Sequence, residues 1–292
     1  MKNSAGFALV LVLIVTALIT AMVAEFVQGV YTTTNSLYNW QASQRLSLLA
    51  QSGVDLSSNL IFNYLNRYSY TYPGVKVVPL EKPFEDFEGE MYLRIEDENS
   101  RFNINTLVYT NGLLNDYAYG SFKRLLSSIS LDSAIADRIV DWIDPDREPR
   151  LPDSEVISKN APLDSTDELL LIPGIDKAIY DKLLPHVTIY GDGRVNINGA
   201  EIPALMSLSD SMDSNMAERI VKYREVTPFE NSSQIQKVAG FEGPPGQSLM
   251  GRITVKGSAF RVVSTVMFGG VKTIVECIID TKEKKIIYWK ES

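Results

Sequence analysis

Four carboxylates fall close together in one stretch of this chain. Asp144, Asp146 and Glu148 alternate, and Glu155 closes a twelve-residue span begun by Asp144. Those offsets match the first, third, fifth and last positions of an EF-hand loop, whose oxygens enclose a calcium ion. Pro149 stands where that loop needs a glycine for its sharp turn, so an EF-hand is excluded. Two readings are left, a different oxygen cage and a solvated acidic loop. Calcium is the one cofactor these residue types suggest.

Catalytic chemistry finds no comparable grouping. His186 is the single histidine and follows Pro185 at a helix end, where a surface or capping role is the default. No G-x-x-x-x-G-K-[ST] phosphate loop occurs. Cys277 is the single cysteine and sits in the apolar run Ile274–Ile279, so it reads as a buried, inert thiol. These residues give catalysis little support.

A third pattern points toward nucleic acid. Leu170–Ile175, with Pro173 and Gly174, resembles a helix-hairpin-helix turn, and Ala217–Glu225 followed by Thr227–Phe229 resembles the DNA-binding repeats of competence receptors. Ser209–Asp213 stands where the second copy should carry its glycine turn. Between Ser165 and Pro245 there are 12 acidic and 7 basic residues, a balance of −5. Phosphate binding requires the opposite sign. A shared helical scaffold without DNA activity is the better account.

The elements that must carry these residues begin with an apolar run. It extends from Phe7 to Ala24, behind a six-residue leader containing Lys2 and ending at Gly6. Eighteen to twenty apolar residues at 1.5 Å each are about enough to cross a hydrocarbon core of about 30 Å. A secretory signal places its small cleavage residue after the apolar run, whereas Gly6 precedes it. Lys2 on the short side predicts a cytoplasmic N-terminus. Small or apolar residues recur every three or four positions from Leu46 through Ala50, Val54 and Ile61 to Tyr64, so Phe7 to about Asn66 reads as one helix ended by Tyr72-Pro73-Gly74.

Beyond it, Glu90–Asp97 alternates as a strand, with Arg101–Ile104 as its short partner across the Glu98-Asn99-Ser100 turn. Helical periodicity holds from about Leu113 to Phe241, including a capping box at Ser165–Glu168. Period two returns in Phe260–Phe268, Val271–Asp280 and Lys285–Trp289, with Gly269-Gly270 as a hairpin turn. Sheet on both sides of a helical block implies a helical domain inserted into a sheet domain. The net charge is −8 over 292 residues, which argues against gripping nucleic acid.

The leader resembles that of type IV pilins and pseudopilins. The resemblance implies cleavage by a prepilin peptidase between Gly6 and Phe7 and N-methylation of Phe7. That class usually carries glutamate as fifth mature residue, thought to neutralise the amino terminus of the neighbouring subunit; here the position is Leu11. An uncompensated charge in an apolar core costs several kcal/mol, so only a subunit with nothing above it can dispense with that glutamate. The interior stretches Leu46–Leu56, Met91–Asn105, Asp141–Asp146, Asp167–Ile175 and Val187–Asn198, in that order, resemble the K-type minor pseudopilin of type II secretion.

The resemblance implies an α+β fold: a long N-terminal transmembrane helix packed on a pilin-type antiparallel sheet, with a large inserted all-α domain. The boundaries expected are leader 1–6, transmembrane segment 7–24, pilin-like domain 25–112 and 246–292, and inserted domain 113–245. It implies a single-pass inner-membrane protein with a periplasmic head, placed at the pseudopilus tip, whose partners are other minor pseudopilins and the prepilin peptidase. Some members bind calcium in the inserted domain, which makes Asp144, Asp146, Glu148 and Glu155 the candidate ligands. The competing reading is a membrane-anchored periplasmic receptor for DNA or another ligand.

Overall fold

The computed structural model describes residues 4–80, 87–152, 154 and 156–292; Lys2 of the leader and Glu155 of the acidic loop lie outside the described residues. Helix α1 runs unbroken from Ser4 to Arg67, about 96 Å at 1.5 Å per residue. Its first half is not covered by any other described element: Phe7, Leu11, Ile14, Leu18, Phe26 and Tyr31 are all exposed. Among the described residues this is the one helix long and apolar enough to cross a membrane. From Leu46 onward one face closes down, and Leu46, Ala50, Val54, Ser57 and Ile61 are buried at steps of three and four.

That face lies on a five-stranded antiparallel sheet of β1 (Val75–Leu80), β2 (Glu90–Asp97), β7 (Ala259–Phe268), β8 (Val271–Asp280) and β9 (Lys285–Glu291), in that spatial order. The sheet's inner face supplies Met91, Leu93, Val262, Val266, Val275 and Cys277. Full burial of one such aliphatic side chain contributes about 1.5–3 kcal/mol. Helix and sheet approach closely at Gly53, where a Cβ would run into Met91, Leu93 and Ser264.

Strands β2 and β7 are neighbours, with Asp97 opposite Phe260, so everything between them leaves and re-enters the sheet at one end. That end is the far one from the exposed apolar half of α1. Leu46 of α1 shares a cleft with Phe87 and Phe268, whereas Ile61, Tyr64 and Leu65 share one with Ile95, Asp97 and Phe260. The insertion thus stands beyond the top of the sheet.

The insertion contains two cores. The first runs from Phe102 to Ile189 and is built on β3 (Phe102–Asn103), α2 (Asp116–Ser128), α3 (Ala134–Ile143), α4 (Lys177–Leu183) and β4 (Val187–Thr188). The second runs from Val195 to Val255 on β5 (Val195–Asn196), α5 (Ile202–Met206), α6 (Ser214–Val226), α7 (Pro244–Gln247) and β6 (Ile253–Thr254). Strand β3 pairs in parallel with β4, and β5 with β6.

One expectation is corrected. Arg101–Ile104 does not pair with Glu90–Asp97, because Glu98–Ser100 is a 3-10 turn capped by Asp97 that carries the chain out of the sheet, where β3 meets β4. The true partner on the open side of β2 is β1, which Lys76 and Pro79 hide from a periodicity search. The Ser165–Glu168 capping box forms as expected, although it opens a 3-10 segment, Thr166–Leu171.

Gly53→Leu should overpack the seat of α1 and lower stability by about 1–3 kcal/mol. Gly29→Leu, at a position with nothing within 4 Å, should not. Thermal unfolding of the full chain in detergent micelles checks both, and an unchanged melting temperature for Gly53→Leu would mean that α1 does not sit on the sheet in this way.

Candidate functional site: a polar hub and the acidic loop

The segment Glu96–Asn99 is polar and buried, at the exit from β2. Asp97 Oδ2 accepts from Thr71 Oγ1 and from Asn196 Nδ2, each at 2.7 Å, and Oδ1 accepts from the Asn99 amide at 2.9 Å. Thr71 follows α1, Asp97 ends β2 and Asn196 lies in β5, so this one carboxylate ties the sheet domain to the second core. Asn99 continues the tie, donating to Asp192 Oδ1 and the Arg194 carbonyl at 2.9 Å while accepting from the Ser258 amide at 2.8 Å. Glu98 joins the first core: its carboxylate accepts from Arg101 Nη1 and Arg261 Nε at 2.8 Å and from the Thr188 hydroxyl. Burial pushes the Asp97 carboxyl up to about 6, against the three donors that favour its charged form.

The two cores hang from this hub as copies of one frame. Arg101-Phe102-Asn103-Ile104-Asn105 opens the first and Arg194-Val195-Asn196-Ile197-Asn198 the second. Asn105 exchanges two hydrogen bonds of 2.9 Å with the Leu163 backbone, and Asn198 exchanges two of 2.8 Å with the Phe229 backbone. Asp132–Val140 (DSAIADRIV) corresponds to Asp213–Val221 (DSNMAERIV), and each is followed by a glycine in the left-handed region, Gly174 at φ +87° and Gly240 at φ +92°. Those glycines lie against Arg138 and Arg219, the equivalent residues of the two helices. The second glycine turn therefore follows α6, at Gly240, and does not precede it at Ser209–Asp213. The repeat was visible in RFNIN and RVNIN. It is masked because its halves are unequally spaced, by 93 residues at the first motif and 81 at the second.

The copies differ again after that second motif, where 34 residues separate Val140 from Gly174 but 19 separate Val221 from Gly240, and the acidic loop lies in the longer stretch. Asp144 caps α3 and is buried, whereas Asp146 and Glu148 point into solvent, with Asp146 Oδ1 accepting from the Glu148 amide at 2.9 Å. Arg150 Nη1 bridges Asp141 Oδ1 at 2.9 Å and Asp144 Oδ2 at 2.8 Å. Asp144 is pushed up to about 6 by burial, while Arg150 pulls the other way. The structure thus pairs Asp144 with Arg150, which also holds Asp141, while the nearby charge of Asp146 adds to the rise of Asp144 and Glu148 points into solvent. Among the described residues no three acidic, histidine or cysteine side chains converge as metal ligands. Two buried acceptors, Asp144 Oδ1 and Asn160 Oδ1, nevertheless have no hydrogen-bond partner there.

The remaining candidates are placed apart from both features. Gly6 and Phe7 stand exposed at the start of α1. His186 Nδ1 lies 3.5 Å from Glu201, and burial lowers its pKa. Cys277 is buried, and burial followed by its acidic neighbours raises the thiol to about 12, which leaves it protonated and unreactive.

Comparison with known proteins follows the same division. Residues 100–192 match the family described as type II secretion system (T2SS), protein K, and residues 192–245 match the helix-hairpin-helix motif. The two matches meet at Asp192, the joint between the repeats. The type II secretion system protein K of Pseudomonas aeruginosa is 31% identical over 172 residues, covering 53% of this chain and 51% of that protein. The protein of the same name from Klebsiella pneumoniae is 26% identical over 266 residues, 80% of each. The chain thus matches about half the length of the first relative and four fifths of the second. The fold is shared with a chain in the crystal structure of the GspK-GspI-GspJ complex from the enterotoxigenic Escherichia coli type 2 secretion system. The TM-score is 0.71, with 18% identity, over 87% of this chain and 98% of that one. A long N-terminal helix on an antiparallel sheet, with the helical insertion, is the expected α+β architecture.

Burial of Asp97 makes the hub sensitive to pH. Its folded pKa of about 6 lies above an unfolded value of about 3.9, so the folded state holds the proton more tightly. The contribution is present below about pH 4, is lost as pH rises through about 6, and amounts to roughly 3 kcal/mol. Asp97→Asn should flatten this part of the stability profile between pH 4.5 and 7. Unfolding of wild type and variant at both pH values gives the double difference, and equal slopes would show that Asp97 is already ionised at pH 4.5.

Proposed function

We propose that this chain, a relative of type II secretion system protein K, is a minor pseudopilin that occupies the tip of the periplasmic pseudopilus and helps to start its assembly. One observation carries the reading: a helical mass of some 160 residues stands beyond the end of the sheet farthest from the membrane segment, above an α1 whose lower half is bare. A pilus forms by burying such helices side by side, and the bare apolar half of α1 is suited to that. A subunit stacked above would meet the insertion, whereas the flanks and underside stay clear. Leu11 supports the same place, since a topmost subunit has no amine above it to neutralise.

The remaining parts of the proposal follow. Prepilin peptidase cuts between Gly6 and Phe7 and Phe7 is methylated, as suits an exposed glycine before the apolar run. The N-terminus faces the cytoplasm and the head the periplasm, the Lys2 side being retained. The partners are other minor pseudopilins, in keeping with the GspK-GspI-GspJ assembly named for the solved neighbour. The role is structural, not catalytic. A DNA-binding role is disfavoured by the −5 balance of the hairpin region. Immunogold labelling of sheared pseudopili, with mass spectrometry of the released chain, tests the reading. Label at fibre ends and a mass starting at N-methyl-Phe7 are expected; uniform decoration would sink the tip position, and an intact Met1 would sink the cleavage.

Calcium in the acidic loop is the second part of the proposal. Asp144 Oδ1 and Asn160 Oδ1 are buried acceptors in want of a donor or cation. Asp144, Asp146, Glu148 and Glu155 are the residues proposed to hold the ion, which would add positive charge to a loop in which five carboxylates face two arginines, Arg147 and Arg150. Binding to the native state stabilises by RT ln(1 + [L]/Kd), roughly 2.7 kcal/mol at 100-fold excess. Calcium should therefore raise the melting temperature of the full chain, and Asp144→Asn should remove the response. A melting temperature unmoved by chelator in the wild type would end the metal assignment.

A further inference from the structure

The sheet has two edges, and they are built differently. On β1, the Gly74 carbonyl accepts from the Asp97 amide at 2.7 Å. Backbone groups alternate along an antiparallel ladder, so those of Val75, Val77 and Pro79 face outward. Pro79 has no N–H to offer, and an outward proline is a standard means of blunting an edge.

Strand β9 carries no proline. Ser292 exchanges both backbone hydrogen bonds with Ile274, at 2.8 and 2.9 Å, so the groups of Trp289 and Glu291 face the open side. Ile286, Ile287 and Trp289 are each more than 40% exposed. The register shifts between Ile278 and Ile279, which leaves Ile287 without a partner on β8. Trp289 lies opposite Cys277, on the face that carries α1, beside the helix and uncovered by it.

Charge distinguishes this edge further. Residues 281–292 contain Lys282, Lys284, Lys285 and Lys290 against Glu283 and Glu291, a balance of +2 in a chain of −8. Lys282 and Lys290 make only long ion pairs, 3.6 Å to Asp192 and 3.9 Å to Asp167, and both are more than half exposed. An open backbone edge, exposed apolar side chains and a local positive charge together specify what can dock there.

We propose that β9 is a strand-addition site for an extended acidic segment of another protein. Main-chain bonds to Trp289 and Glu291 would align the segment, Ile287 and Trp289 would take its apolar side chains, and the lysines would take its carboxylates. The site does not depend on where the chain sits in a fibre.

Fluorescence anisotropy on the full chain in detergent micelles tests this, using a labelled, end-blocked peptide of alternating valine and aspartate and a valine–lysine counterpart. The acidic peptide should bind at least about tenfold more tightly, and weaken as salt rises. Charge reversal at Lys284, Lys285 and Lys290 (each →Glu) should erase the preference. Glu291→Pro should abolish binding although it removes a like charge, because it removes an outward N–H. Circular dichroism confirms that each variant is folded, and Trp289→Ser gives a second loss should Glu291→Pro misfold. Equal affinity for both peptides, no binding of either, or self-association through β9 detected by light scattering in place of peptide binding would each overturn the proposal.

Discussion

The buried carboxylates at the end of β2 are the constraint on which the rest depends. Asp97 and Glu98 are shut away from water, where an unpaired charge is costly, so each must find donors, and those donors come from four separate parts of the chain. Thr71 and Asn196 answer Asp97; Arg101, Arg261 and Thr188 answer Glu98. Removing one partner of such a set costs about 3–5 kcal/mol, far more than a surface pair contributes. Sheet, first core and second core are therefore held in one relation largely by polar satisfaction, each having its own apolar cluster.

The duplicated frame explains how an insertion of this size can hang from a single sheet end. Each copy closes on itself through a short parallel bridge, β3 with β4 and β5 with β6, and an asparagine that clamps a loop backbone. Each copy then returns the chain near the place where it started. Two self-closing units in series bring the chain back beside Asp97, where β7 can join β2 in register. The helix-hairpin-helix likeness is a property of this frame, in which a left-handed glycine lets the turn sit against an arginine of the preceding helix. It carries no implication of DNA binding in a surface of net negative charge.

The same geometry divides the molecule by task. The lower half of α1 has no intramolecular use for its apolar surface. The sheet protects its β1 edge and leaves β9 open. The bulk lies at the top. These are the surfaces that the proposed tip position would use.

Local signals decided much of this from the sequence alone. Apolar length marked the exposed apolar half of α1, three-and-four periodicity its continuation, and period two β2, β7, β8 and β9, because each depends on residues near one another in the chain. The capping box at Ser165 was legible for the same reason. Partnership was not legible. That β3 bonds to β4 across more than eighty residues, that Arg150 occupies Asp144 while Asp146 and Glu148 face solvent, and that Asp97 and Glu98 together join the sheet to the two cores all depend on long-range closure. Spacing places the carboxylates Asp144, Asp146, Glu148 and Glu155 on one loop. Only burial decides which of them must be neutralised, and by what, since the penalty arises from desolvation in the folded state and leaves no trace in the order of residues.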